Sequence, residues 1–178
     1  RHGPFVALHC ASTQADALEA ELFGTDAGTG RDGARAGRLA QALGGTLFLH
    51  EVGELPATAQ RRLLNVLQQG QFTPPGQGAP LPLDLAIVCA SGQPLSERVA
   101  QGLFAEELYH RLNGLSVRLP ALRERQDLPV LVQRALQRCG AGRPPEVAEP
   151  TMLLLRQHRW PGNLRQLFGL LNTARLML

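Results

Sequence analysis

At 178 residues, with 44% apolar content, the chain is long enough to bury one core, or one core and a small appendage. A formal net charge of +3 is modest, and no apolar run approaches the ~18 residues that span a bilayer. Arg1-His2-Gly3-Pro4 is not followed by the apolar stretch of a signal peptide, so a cytoplasmic protein with no membrane contact is expected. Pro4–Cys10 predicts a short strand, and Thr13–Phe23 a helix, with Ala17, Leu18, Leu22 and Phe23 at helical spacing behind the caps Ser12 and Thr13. Five glycines between Gly24 and Gly37 predict a loop, and Leu39–Leu43 a brief helical piece. Thr46–Leu49 is the next strand. Pro56–Gln69 is a helix, with Ala59, Leu63, Leu64 and Leu67 as its apolar stripe and Gly70 as its stop. After a turn-rich link over Gly76–Pro82, Leu83–Ala90 predicts an apolar strand, Glu106–Leu112 a short helix, and Leu115–Leu119 a last strand before Pro120. The remainder reads as helical. Strands alternating with helices imply an α/β fold, a parallel sheet covered by helices on both faces, followed from Ala121 by a small all-α subdomain.

Ligands of open parallel sheets bind beyond the carboxyl ends of the strands. Three predicted strand ends carry polar groups: His9-Cys10, His50-Glu51 and Ser91-Gly92-Gln93. A carboxylate at Glu51 is placed to orient or deprotonate a water, or is simply a solvated acid at a strand end. His9 and His50 are polar strand caps, or with Glu51 a nitrogen and oxygen donor set of the kind zinc accepts, although their spacing matches no compact metal motif. Cys10, Cys89 and Cys139 are odd in number and widely spaced, as reduced packing thiols would be. The basic residues are scattered along the chain, which argues against a helix that reads a DNA groove. All 18 are arginine, so no complete G-x-x-x-x-G-K-[ST] phosphate loop, which needs a lysine, is present.

Five blocks carry a resemblance: Glu21–Gly24 (ELFG), Gly44–Glu51 (GGTLFL-x-E), Arg61–Phe72 (RRLLNVLQQGQF), Leu108–Arg125 (LYHRLNGLSVRLPALRER) and Trp160–Leu167 (WPGNLRQL). Their order resembles the central AAA+ ATPase domain of sigma-54-dependent enhancer-binding transcription activators, and within them the regulators of acetoin and dihydroxyacetone catabolism. The resemblance implies an α/β nucleotide-binding subdomain over residues 1–120 and a helical lid over 121–178. It implies a chain that starts after the first strand, with the Walker A strand and loop upstream. It also implies ATP and Mg²⁺ as cofactors, self-association into a ring, and sigma-54 RNA polymerase as the remodelled partner, with DNA bound only by a separate domain.

Carried over position by position, the resemblance makes Glu51 the water-activating glutamate of Walker B, while the magnesium-associated aspartate falls on His50. The asparagine that restrains the glutamate falls on His9, and the sensor asparagine on Gly92. The two arginines donated to a neighbouring subunit fall on Ala105 and Arg111, and the phosphate-sensing lid arginine on Arg165. The sigma-54-contacting hexapeptide GAFTGA, due after Gly24, is not found in Thr25–Arg35. Gly28-Thr29-Gly30-Arg31-Asp32 echoes the Walker A core, yet it follows a helix and not an apolar strand. Two readings result: an AAA+ ATPase impaired in hydrolysis, with Glu51 as base and Arg111 as finger, or a non-catalytic regulatory module that retains the fold.

Overall fold

In the computed structural model, which describes residues 3–11, 14–26, 35–76, 78–138 and 145–177, the sheet is built around a strand that a glycine pair launches. Gly44 takes φ +74°, and a Cβ on Gly45 would sit 2.0 Å from the Pro4 carbonyl oxygen. Only glycine allows that turn and that approach. The elements run β1 (Phe5–His9), α1 (Ala15–Phe23), β2 (Gly24–Thr25), β3 (Arg35–Ala36), α2 (Arg38–Gln41), β4 (Thr46–His50), α3 (Ala57–Gln69), β5 (Gln71–Phe72), β6 (Leu81–Pro82) and β7 (Ala86–Ala90). α4 (Leu95–Ala100) and α5 (Glu106–Leu112) follow, then α6 (Leu128–Arg138), α7 (Glu149–Gln157) and α8 (Asn163–Leu176).

β1, β4 and β7 form a parallel sheet in that order, with Leu8 opposite Leu49, and His9, His50 and Ala90 in one row. Side chains alternate across a strand. Leu8, Leu47 and Leu49 enter a core with Leu18, Leu22, Leu39, Leu63 and Leu108 from the helices. The opposite face carries Phe5, Phe48, His50 and Val88, and is more open: Phe5 is 69% and Val88 48% exposed. α1 and α3 begin without side-chain caps; the expected caps Ser12 and Thr13 lie outside the described residues.

Two expectations change. The strand expected from Leu83 is shorter, because Gly70 turns the chain at φ +65° and its carbonyl accepts the Leu83 N–H at 2.8 Å. That contact commits the preceding residues to the small antiparallel pair β5–β6. Leu115–Leu119 alternates like a strand but is not one: no neighbouring strand bonds it among the described residues, and Leu115, Val117 and Leu119 are 89%, 72% and 85% exposed. An apolar alternation without a ladder partner leaves the backbone in irregular form. α4 was not legible, being six residues long with none fully buried.

The chain separates into two compact units, Arg1–Ser116 and Val117–Leu178. The second has its own core of Leu122, Leu128, Val132, Leu136, Leu155, Trp160, Leu167 and Leu171. Trp160 is 3% exposed, and its indole N–H donates to the Leu155 carbonyl at 2.7 Å. The Asn163 side chain accepts the Leu122 N–H at 2.7 Å, so the Trp-Pro-Gly-Asn turn pins the start of α8 to the entrance of the unit. No helix among the described residues is long and apolar enough to cross a membrane.

Candidate functional site

The carboxyl ends of β1, β4 and β7 bring four of the six expected site residues together. His9 and His50 are register partners, with ring centroids 4.6 Å apart at 38°. The His9 Nδ1 accepts the Ala11 N–H at 3.3 Å, so its proton lies on Nε2. The His50 Nδ1 is buried with no hydrogen-bond partner, an uncommon state for an interior polar atom.

Glu51 leaves the strand in the left-handed region, at φ 56° and ψ 47°. Such a conformation costs a non-glycine residue on the order of 1–3 kcal/mol and gathers at functional sites. Here it swings the carboxylate toward the end of β7, where the Gly92 N–H donates to Glu51 Oε2 at 2.9 Å. A Cβ on Gly92 would meet Glu51 Oε1 at 3.3 Å, so the two sit in tight contact. The Ser91 hydroxyl donates to the Gln93 carbonyl at 2.7 Å and shapes this loop. Beneath it, Arg98 grips Glu54 with bonds of 2.7 and 3.3 Å, and a Cβ on Gly53 would lie 2.8 Å from Arg98 Cδ.

Cys10 and Cys89 line the same region. Burial, with smaller contributions from Cys89 and Glu51, pushes the Cys10 thiol up to about 12, and burial pushes Cys89 up to about 11. Both are packing thiols and not nucleophiles; Cys139 lies outside the described residues. No group of three or more His, Cys, Asp or Glu converges on a metal-sized point among the described residues. Mg²⁺ is a hard cation that takes oxygen ligands. Imidazole nitrogen from His50 and a single carboxylate already bound to Gly92 do not fit it.

Arg111 stands apart from this row. On the last turn of α5, its guanidinium donates to the Leu67 carbonyl at 2.8 Å, near the end of α3. Ala105 occupies the N-cap of α5 and donates its N–H to Gln60 Oε1 at 2.8 Å. Gln60 was missed in the sequence. It is 4% exposed, and its amide also donates to the Leu55 and Leu103 carbonyls at 2.7 and 3.1 Å, tying α3, the turn after β4 and the start of α5 together. The available signal was a polar residue three positions before Leu63, in phase with the apolar stripe. Arg165 is exposed near the start of α8, within the second unit. Within the first unit a groove of about 380 Å³ lies beside Arg62 and Gln69, away from the strand ends, and within the second a groove of about 400 Å³ lies beside Arg138 and Phe168. The segment that echoes the Walker A core, and most of the stretch searched for GAFTGA, fall outside the described residues.

Residues 1–118 match the sigma-54 interaction domain family, and residues 123–178 the AAA+ ATPase lid domain family. The chain belongs to the sigma-54 interaction family of AAA+ domains. It is 45% identical to the DNA-binding transcriptional regulator NtrC of Azospirillum brasilense, over 96% of this chain and 36% of that protein. It is 44% identical to the acetoin catabolism regulatory protein of Cupriavidus necator, over 98% of this chain and 27% of that protein. The crystal structure of NtrX from Brucella abortus in complex with ATP superposes with a TM-score of 0.83 at 34% identity, covering 98% of this chain and 41% of that one. The chain thus spans roughly a third of the curated relatives it matches, and two branches are almost equally similar to it. The helical unit is the part that matches the family's lid.

Proposed function

We propose that this domain is the ATP-binding AAA+ module of a sigma-54-type transcription regulator, with Mg²⁺-dependent hydrolysis impaired. ATP is the natural ligand because NtrX of Brucella abortus, a near structural relative, holds it. The observation that carries the impairment is His50: a half-buried imidazole, tilted against the His9 ring, whose Nδ1 is buried without a hydrogen-bond partner, in the place where the resembled family keeps an aspartate. A nitrogen donor there withholds the hard oxygen that magnesium requires. The acid beside it is intact, so residual turnover would use Glu51 to draw a proton from water, and its carboxylate is positioned by the Gly92 N–H.

Arg111 is the finger in this reading, offered to a neighbouring subunit in a self-associated ring. It must first release the Leu67 carbonyl, at a cost of about 1 kcal/mol. Arg165 senses the bound phosphates from the lid. Remodelling of sigma-54 polymerase is weakened with the hexapeptide missing from its expected place, and DNA is recognised through a separate domain. The second reading, a non-catalytic regulatory or oligomerisation module, is favoured by one observation: Gly92 reaches Glu51 only through its backbone and has no side chain to place on water or phosphate.

Phosphate release from the full chain with Mg²⁺ and ATP, compared with Glu51→Ala, separates the two. Slow turnover that the substitution abolishes supports impaired hydrolysis. Turnover absent in both, with ATP still bound, establishes the non-catalytic module, and no ATP binding refutes the proposal.

A further inference from the structure

The net charge of +3 is the sum of two unlike parts. Val117–Leu178 holds ten arginines against four acids, six positive charges in excess, while Arg1–Ser116 holds eight arginines against eleven acids, three negative in excess. Within the helical unit two of the four acids, Glu124 and Asp127, lie at its entrance, and the other two are Glu146 and Glu149. Arg125 binds Asp127 through bonds of 2.8 and 2.7 Å, and Arg118 and Arg123 approach Glu124 at 3.5 and 3.7 Å. Glu149 opens α7, about 10 Å along the helix axis from Arg156. From Pro150 to Leu178 there is no acid at all.

Six described arginines of the unit are therefore left without an ion pair; of these Arg134 acts on the Asp127 carboxylate and Arg175 donates to the Leu136 carbonyl, which leaves four. Arg138, Arg156, Arg159 and Arg165 are exposed, and none makes an ion pair among the described residues. Arg156 and Arg159 flank the end of α7, and Arg165 follows two residues into α8. Arg138 ends α6 beside Phe168 and Gly169 of α8, the same α8 face that Arg165 begins one turn earlier. Guanidinium forks match phosphate oxygens two at a time. A surface of one sign suits a polyanion, whereas protein interfaces set register with both signs.

We propose that the Val117–Leu178 unit contacts the phosphate backbone of duplex DNA, without reading sequence, through Arg138, Arg156 and Arg159, with Arg165 left to the bound nucleotide. Such a contact holds the domain against DNA wherever the regulator is already bound, and it stands independently of nucleotide binding or turnover. The whole-chain charge conceals it because the first unit cancels half of the excess.

The test is fluorescence anisotropy of the full chain with a labelled 20-base-pair duplex of random sequence, in 50 to 200 mM NaCl. Three phosphate contacts predict a slope of log K against log salt of about −2.7, a loss of roughly 40-fold over that range. Combining Arg156→Gln with Arg159→Gln is expected to reduce the slope by about 2 and to weaken binding, while Arg61→Gln in the first unit changes neither. Arg138→Gln, expected to remove about 1 from the slope, supplies a second variant if the pair disturbs folding as judged by circular dichroism. An unchanged slope in folded variants, or no binding by the wild type, overturns the proposal. So does self-association lost with the same arginines and no effect of DNA, which would assign them to an acidic protein surface.

Discussion

Gln60 offers the sharpest test of how the fold holds the candidate finger. Its amide donates to the carbonyls of Leu55 and Leu103 and accepts from the Ala105 N–H, all at or below 3.1 Å in a site 4% exposed. Gln60→Leu leaves those groups without their partner, at about 1–3 kcal/mol each when fully buried. Added apolar burial returns about 1 kcal/mol, for an expected net loss of about 3 kcal/mol, or roughly 10 °C in Tm for a unit of this size. Gln60→Glu makes the logic pH-dependent. An ionised carboxylate faces two carbonyl oxygens, so the protonated, donating form is favoured and the folded pKa rises above the unfolded value of about 4.3. The variant is then least impaired below about pH 4 and loses stability as pH rises through its folded pKa. Thermal melts of wild type and both variants from pH 4 to 8 measure this. A Gln60→Glu variant with the same pH profile as wild type, or a Gln60→Leu variant within 1 °C of it, would refute the assigned hydrogen bonds. Because Gln60 clamps the N-cap of α5, any residual ATP turnover dependent on Arg111 should fall in both variants even at temperatures where they remain folded.

His50→Asp is expected to raise Mg²⁺-dependent nucleotide affinity in calorimetry by about tenfold or more, since it supplies an oxygen donor beside Glu51; affinity that ignores magnesium in both proteins counts against His50 as the disabling residue. Cys10 and Cys89 should resist alkylation in the native chain at pH 8 and react on unfolding, as followed by mass spectrometry. Because their folded values, about 12 and about 11, lie above the ordinary 9.0, the neutral thiols stabilise the fold fully below pH 9, and that contribution is lost as pH rises through 11 to 12. Cys10→Ala and Cys89→Ala should flatten the alkaline arm of a stability curve, and an unaltered arm would contradict the burial. Trp160→Phe removes the indole bond to Leu155 and should lower the melting of the second unit by a few degrees.

The strand Thr46–His50 shows why part of the site was legible. Its sequence alternates a core row, Leu47 and Leu49, with an open row, Phe48 and His50, and the glycine pair before it has a steric cause that any chain with this turn must satisfy. Local pattern and tertiary contact agree there. At Leu115–Leu119 they do not, since the same alternation predicts a strand only when a neighbour supplies the ladder. Nothing within five residues encodes that neighbour. Gln60 failed for the opposite reason: its partners lie 43 and 45 residues away at Leu103 and Ala105, so only a polar side chain in an apolar phase announced it.

Charge followed the same rule. Scattered along the sequence, the arginines looked uninformative, but the division at residue 116 and the pairing of Glu124 and Asp127 near the unit's entrance sort them into compensated and uncompensated sets. The strand-end row and the arginine face therefore make separable claims. In the proposed reading, His50 limits what the first unit does with a bound nucleotide, through the chemistry of a single donor atom. The second unit's charge sets where the domain rests, through a field to which no single residue is essential. A variant that restores the first should leave the salt dependence of the second untouched: His50→Asp measured against DNA should reproduce the wild-type slope. A changed slope would mean that nucleotide chemistry and the arginine face are coupled.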